Sequence, residues 1–357
     1  MRNKQWQSPR FFVYIHIENT KQTKHIRRQK PNVLLFMPNT PRKPLVAIKC
    51  LVFNHEPYLR DCLESFVMQQ TDFPFVAIVH DDASTDHSAD IIREYAAKYP
   101  DIILPIYETE NQYSKHDGSL GRIMNTAVDA TGAKYVAMCE GDDYWTDPHK
   151  LQKQVSFLES HEDYGFVGSR YRILQDGQFL ECETIPAPYE LDCEWELYGD
   201  IFESVAIYGP PARTCTMMYR NRLLIDYRSV IYGDYLQEAV LASQSKFARL
   251  SIETACYRVH SGSLTQSKRM RVNYAEFFVG ERRILNQLFP KVCHFDETEL
   301  TDYVLYAKLK DAIMCGNYAD AMACKRQLTT AKYKRKTYCR FLLGHCSFLF
   351  LKYTLNR

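Results

Sequence analysis

From Leu45 onward, apolar residues come in short unbroken runs separated by longer stretches of helical period. Val46 to Phe53 is apolar apart from Lys49, the pattern of a strand covered on both faces, and it stops at Asn54-His55-Glu56-Pro57. Tyr58, Leu59, Cys62, Leu63, Phe66 and Val67 then form one apolar helical stripe. Phe75 to Val79 predicts a second strand, closed by His80-Asp81-Asp82-Ala83-Ser84-Thr85-Asp86. A second helix follows, with Thr85 or Asp86 as its N-cap and Ile91, Ile92, Tyr95 and Tyr99 on one face. Ile102 to Tyr107 predicts a short strand, Glu108 to Gly121 a polar loop, and Arg122 to Ala130 a helix closed by Thr131-Gly132. Tyr135 to Met138 predicts a fourth strand, which runs into Cys139-Glu140-Gly141-Asp142-Asp143-Tyr144-Trp145.

Strand and helix alternating in this way imply a parallel sheet with helical crossovers. In open α/β sheets ligands bind outside the carboxyl ends of the strands. Asn54, the pair Asp81 and Asp82, and the pair Asp142 and Asp143 all sit at such ends. Taken singly, Asn54 is a turn residue, Asp82 a helix cap, and the acidic segment a solvated turn; taken together they line one crevice. Glu140, Asp142 and Asp143 also crowd three carboxylates into four residues. Like charges so close raise one another's pKa unless a cation or strong donors compensate, and hard oxygen ligands suit Mg²⁺ or Mn²⁺.

No Gly-x-Gly-x-x-Gly and no loop ending in Gly-Lys-Ser/Thr occurs, so a glycine-rich phosphate cradle is missing. Carboxylates without that cradle hold a diphosphate through a divalent cation. Arg122 follows the loop and reads either as an added donor to a phosphate or as a solvated arginine at a helix start.

Composition narrows the classes. Hydrophobic residues make up 46% of the chain and the net charge is only +2, which argues against a polyanion-binding protein and against nucleic acid as a partner. The twelve cysteines include no Cys-x-x-Cys pair and read as reduced thiols of a cytoplasmic protein. Residues 1 to 30 carry eight Lys or Arg against one acidic residue, Glu18. Their apolar run from Phe11 to Ile17 is too short to span a bilayer and lacks a signal-peptide cleavage site. The folded protein is expected to begin near Met37, after a disordered or over-extended start.

Beyond the acidic segment, Phe166 to Ser169 and Thr214 to Tyr219 predict strands, Gln175 to Tyr208 a long loop containing Trp195, and Leu236 to Ser243 a helix. Trp195 reads as a ring that stacks on a ligand or, more simply, as an anchor of that loop. Asp234 opens the helix and, on its own, is an N-cap; His260, on its own, is a structural histidine. Tyr303 to Gln327 predicts a helical hairpin turning at Cys315 to Tyr318. Basic residues from Lys332 to Arg340 then precede an apolar stretch from Phe341 to Tyr353. This is either a final packed helix or one lying on the anionic inner face of a membrane.

The ordered segments Pro44 to Glu56, His80 to Asp86, Glu140 to Pro148 with Lys150, Leu151 and Gln154, then Gly233-Asp234 and Tyr257 to His260 resemble a family 2 glycosyltransferase. That resemblance implies an inverting enzyme of the GT-A type fold, α/β with a mostly parallel sheet flanked by helices and a C-terminal helical extension. It implies that Asp82, with Asp81 and Asn54, contacts the nucleoside, that Asp142 and Asp143 hold Mn²⁺ or Mg²⁺, that His260 lies by the metal or diphosphate, and that Asp234 is the general base. Glu140 stands where many relatives have Asp. The expected organisation is an extension over 1–43, a donor-binding half over 44–155, an acceptor and catalytic-base half over 156–265, and a helical region over 266–357. The expected activity is transfer of a sugar from a nucleoside-diphosphate sugar to a glycan or lipid-linked acceptor hydroxyl. A sugar-nucleotide pyrophosphorylase would instead need a glycine-rich basic loop after the first strand, and a non-catalytic binding module would leave Asp142 and Asp143 unexplained.

Overall fold

A computed structural model of the protein describes residues 43–115, 117–180, 195–227, 233–260 and 270–336. The expected N-terminal extension up to residue 42, the loop segment 181–194, the side chain of Trp195 and the apolar C-terminal segment lie outside the described residues.

The first half follows the apolar runs. β1 (Val46–Val52), α1 (Glu56–Val67), β2 (Phe75–Asp81), α2 (Ser88–Lys98), β3 (Ile103–Tyr107), α3 (Ser119–Thr131) and β4 (Tyr135–Met138) succeed one another. β1 is central and parallel to both β2 and β4, with β3 parallel on the outer side of β2. Covered on both faces, β1 buries Val46, Ile48, Cys50 and Val52 in one cluster with Leu59, Leu63 and Phe66 of α1. α3 ends at Gly132, whose φ of +65° is the left-handed conformation that favours glycine at this position.

α2 begins at Ser88, not at the expected caps Thr85 or Asp86, and the cause is local competition for hydrogen bonds. The Thr85 N–H donates to Asn54 Oδ1 at 2.7 Å, and the Asp86 carboxylate accepts from both Glu56 N–H (3.0 Å) and Ser88 N–H (2.9 Å). Residues 84–86 therefore join the loop after β2 to the loop after β1 before the helix starts.

The second half turns the sheet mixed. It comprises β5 (Tyr144–Trp145), α4 (Lys150–Ser160), β6 (Tyr164–Gln175), β7 (Gln178–Leu180), β8 (Trp195–Gly199), α5 (Phe202–Tyr208), β9 (Met218–Arg220), α6 (Asp234–Ala242) and β10 (Lys246–Val259). β9 pairs antiparallel with β4 and with β6, β10 runs parallel to β6, and β5 lies antiparallel on β10. The resulting order is β3-β2-β1-β4-β9-β6-β10-β5. The strand expected over Thr214 to Tyr219 is confined to its end: Thr214–Thr216 is a 3-10 turn. There the Thr216 hydroxyl donates to Arg213 O at 2.8 Å, a side-chain bond that competes with sheet pairing.

α7 (Met270–Leu288), α8 (Glu297–Met314) and α9 (Tyr318–Gln327) complete the described chain. α8 and α9 form the expected hairpin, turning at Gly316 with φ +72°. Asp296 caps α8 through Glu299 N–H and Asn317 caps α9 through Asp320 N–H. Among the described residues, no helix is long and apolar enough to cross a membrane. The eight described cysteines are all free, six of them buried.

Candidate active site

Strand register sets the geometry of the crevice. Val52 at the end of β1 lies opposite Asp81 at the end of β2. β4 stops at Met138, opposite Lys49, and the chain then continues along β1, with Cys139 N–H bonded to Lys49 O (3.2 Å) and Gly141 N–H to Leu51 O (2.9 Å). This carries Asp142 past the end of β1 to the side of His55. Gly141 must be glycine for lack of room: a Cβ there would stand 2.8 Å from His55 Nδ1 and 2.9 Å from Val52 Cγ2.

The pairing of β5 with β10, Trp145 opposite Ala255 and Tyr144 opposite Cys256, lays the far end of β10 against the acidic segment. His260 Nε2 comes within 3.1 Å of Asp142 Oδ2, and His55 Nε2 lies 3.9 Å from the same oxygen. Arg258 braces the assembly. Its backbone N–H donates to Asp143 Oδ1 at 2.8 Å, and its guanidinium donates to the carbonyls of Tyr58 and Asp142 and pairs with Asp61. That guanidinium also lies over the rings of Tyr144 and Tyr58, at 4.7 and 5.2 Å from their centroids.

The two aspartates differ in environment. Burial works to raise Asp142, but the His260 bond and the fields of His55 and His260 outweigh it and leave its carboxyl below the ordinary range. Its Oδ1 is buried without a hydrogen-bond partner. Asp143 is 2% exposed, and burial, then the Asp142 charge, push it well above the usual carboxylate range against the pull of the Arg258 N–H. Glu140 is pushed up to about 8 by burial, then by the charges of Asp142 and Asp234. Burial lowers His55, so its imidazole is neutral at pH 7 and can offer a lone pair.

At the end of β2 the roles divide again. Both oxygens of Asp82 are committed to the loop after β3, accepting Gln112 N–H at 2.6 Å and Tyr113 N–H at 3.0 Å. Asp81 is equally buried, at 3% exposure. Its Oδ2 accepts only a 3.4 Å contact from Ser84 N–H, and its Oδ1 has no hydrogen-bond partner. Asn54 is exposed and left-handed, with φ +55°, and its Oδ1 is occupied by Thr85.

The other expected residues separate. Asp234 is the exposed first residue of α6; its Oδ2 accepts from the Thr214 hydroxyl at 3.5 Å, and its charge contributes to raising Glu140. Arg122 is exposed on α3, and its Nη1 donates to Asp117 O at 2.6 Å. The expected metal set of Asp142, Asp143 and His260 does not converge as three ligands: Asp143 is turned to the Arg258 backbone. Among the described residues no group of three or more His, Cys, Asp or Glu side chains is arranged to hold a metal ion. Sequence reasoning did not single out His55, although it stands beside Asn54 at the strand end where the crevice was expected. It also passed over Glu238, fully buried on α6 with Oε1 unpartnered; a charged residue four positions after Asp234, amid Ala239, Val240 and Leu241, was the available signal.

The parallel half-sheet gives way to antiparallel strands, and carboxylates and imidazoles gather at the carboxyl ends of its strands. Residues 50–208 match the family model described as Glycosyl transferase family 2. An uncharacterised protein of Mycobacterium tuberculosis is 37% identical over 149 residues, 41% of this chain and 41% of that one, so the chain spans about two fifths of the length of the first curated relatives it matches. The putative glycosyltransferase EpsE of Bacillus subtilis is 27% identical over 271 residues, covering 74% of this chain and 87% of EpsE. Among solved structures, S. aureus TarS 1-349 in complex with UDP-GlcNAc aligns with TM-score 0.48 and 16% identity, covering 80% of this chain and 81% of that one.

Proposed function

We propose that the protein transfers a sugar from a nucleoside-diphosphate sugar to an acceptor hydroxyl with inversion. One observation beyond the family match carries the reading: two buried carboxylate oxygens, Asp81 Oδ1 and Asp142 Oδ1, stand without partners at the ends of β2 and β4. An unpaired buried acceptor costs roughly 1–3 kcal/mol, and such groups are held ready where a ligand satisfies them. Asp81, rather than the internally bonded Asp82, then meets donors of the nucleoside base, with Asn54 shaping the loop beside it. The acceptor class, a cell-surface polysaccharide or lipid-linked glycan, follows the family resemblance alone.

No three described side chains are arranged as a ligand set, so a divalent cation would be held from the orphaned Asp142 Oδ1 with the imidazoles beside it. Asp142 offers a free oxygen, His260 and neutral His55 offer imidazole nitrogen, and Glu140 stands two residues away; such a mixed oxygen and nitrogen set suits Mn²⁺ at least as well as Mg²⁺. When bound, the cation neutralises the charge of the departing diphosphate. Asp143 stays out of this set and instead fixes the end of β10 through Arg258 N–H, which presents His260. Asp234 takes the proton of the acceptor hydroxyl as its oxygen attacks the anomeric carbon opposite the leaving nucleotide.

The test is a thermal-shift titration with UDP-N-acetylglucosamine, UDP-glucose and GDP-mannose, each with and without Mn²⁺. At least one donor should raise the melting temperature in a cation-dependent way, and Asp142→Ala should abolish the shift. A wild-type protein indifferent to every nucleotide sugar, or an Asp142→Ala variant that responds normally, would overturn the reading.

A further inference from the structure

We propose that α7, which lies beyond the residues matched by the family model, is a working part of the site: Glu281 is a positioning residue that, with Phe277, fixes the first turn of the helix bearing Asp234. This rests on the reading of Asp234 as the base.

The first N–H groups of a helix have no intrahelical partners, and α6 has no capping side chain at Gly233. Its Leu236 N–H is satisfied from a distance, donating to Glu281 Oε1 at 3.0 Å across 45 residues of sequence. Glu281 is 3% exposed, so bulk water does not compete for this bond. Gly233 has φ −135°, open to any residue, yet a Cβ there would stand 2.6 Å from Phe277 Cε1 and 2.7 Å from Glu281 Oε1. The backbone just before Asp234 is therefore pressed directly onto α7. Just after it, the Tyr235 ring stacks on Phe278 at 5.1 Å and 30°. Residues 233, 235 and 236 all touch α7, while Asp234 between them remains exposed.

The consequence is a division of labour. The donor side is built by β1, β2, β4 and the end of β10, whereas the placement of Asp234 against that side is set by α7. A reacting group displaced by about 1 Å loses on the order of a hundredfold in rate. Removing the Glu281 acceptor should therefore cost turnover without touching the donor. Glu281→Gln keeps an oxygen that can accept the same N–H, so it should preserve the position of the base.

The experiment uses the full chain and measures nucleoside diphosphate release with water as acceptor, from whichever of UDP-N-acetylglucosamine, UDP-glucose or GDP-mannose stabilises it. Calorimetric affinity for that donor is measured beside it. Glu281→Ala should lower kcat at least about tenfold with donor Kd within twofold of wild type, and Glu281→Gln should stay within about threefold in both. Gly233→Ala, which forces α7 off the start of the helix while leaving Glu281 in place, should show the same kcat-selective loss, and it stands in should Glu281→Ala fail to fold. Wild-type kcat in a folded Glu281→Ala or Gly233→Ala variant, or parallel loss of donor affinity that Glu281→Gln does not rescue, overturns the positioning role. Asp234→Asn separates the two claims: if it abolishes turnover while Glu281→Ala does not, only the role of α7 fails, and if it is silent, both fail.

Discussion

Replacing Glu281 by Gln removes a charge that the fold opposes, and the effect on stability should depend on pH in one direction. Burial, then the Asp234 charge, raises this carboxyl from 4.5 to about 8, against the pull of the Leu236 N–H bond. The neighbouring groups that sense it are Tyr235 on α6 and Tyr274 on α7, both protonated at neutral pH. The folded chain thus favours the protonated acid: its contribution is fully present below about pH 4.5 and is lost as pH rises through 8. At about 1.4 kcal/mol per unit, the ceiling is roughly 5 kcal/mol above pH 8, and relaxation of the site reduces this to a few kcal/mol. At roughly 2–4 °C per kcal/mol, calorimetry should find Glu281→Gln within about 2 °C of wild type at pH 5 and roughly 5–10 °C more stable at pH 9. A difference in melting temperature that is equal at both pH values, or a variant less stable at pH 9, would refute the reasoning.

Two further outcomes follow from the crevice. Asp142→Asn should weaken donor binding in Mn²⁺ at least about tenfold, because it neutralises the carboxylate whose Oδ1 has no partner, and it should also loosen the His260 contact at 3.1 Å. Asp143→Asn should instead act first on stability and on the seating of His260, since Asp143 Oδ1 accepts the Arg258 N–H at 2.8 Å; calorimetric titration beside thermal melts separates the two. Gly141→Ala should cost about 1–3 kcal/mol in stability and depress donor affinity, because the added methyl meets His55 Nδ1 at 2.8 Å; unchanged melting and binding would show that the loop has room to spare.

Much of the donor half is legible in the chain, because β1, β2 and β4 are apolar runs buried on both faces and their ends carry polar residues that nothing in a core would tolerate. Parallel order then brings Asp81 and Asp142 to the same edge of the sheet without further information. What sequence cannot convey is how each carboxylate is spent. Asp81 and Asp82 read alike, yet backbone N–H groups from residues 112 and 113 occupy the second and leave the first open. Asp142 and Asp143 likewise divide because β10 returns beside them, a pairing between Trp145 and Ala255 that no local pattern announces. The start of α2 was misplaced for a similar reason, since Asn54 and Glu56 compete for residues 85 and 86. The cap from Glu281 is the extreme case: Leu236 and its acceptor share no motif, only a packed interface.

The central claim is that this crevice holds a nucleotide sugar while Asp234 drives its transfer, and Asp234→Asn tests it most directly. Asn caps a helix about as well as Asp, so a purely structural residue would make the change nearly silent. Calorimetric donor binding and steady-state release of nucleoside diphosphate should be measured on the same preparation. Donor affinity is expected to stay within about twofold of wild type and turnover to fall at least about a hundredfold. Near-normal turnover in Asp234→Asn would contradict the claim.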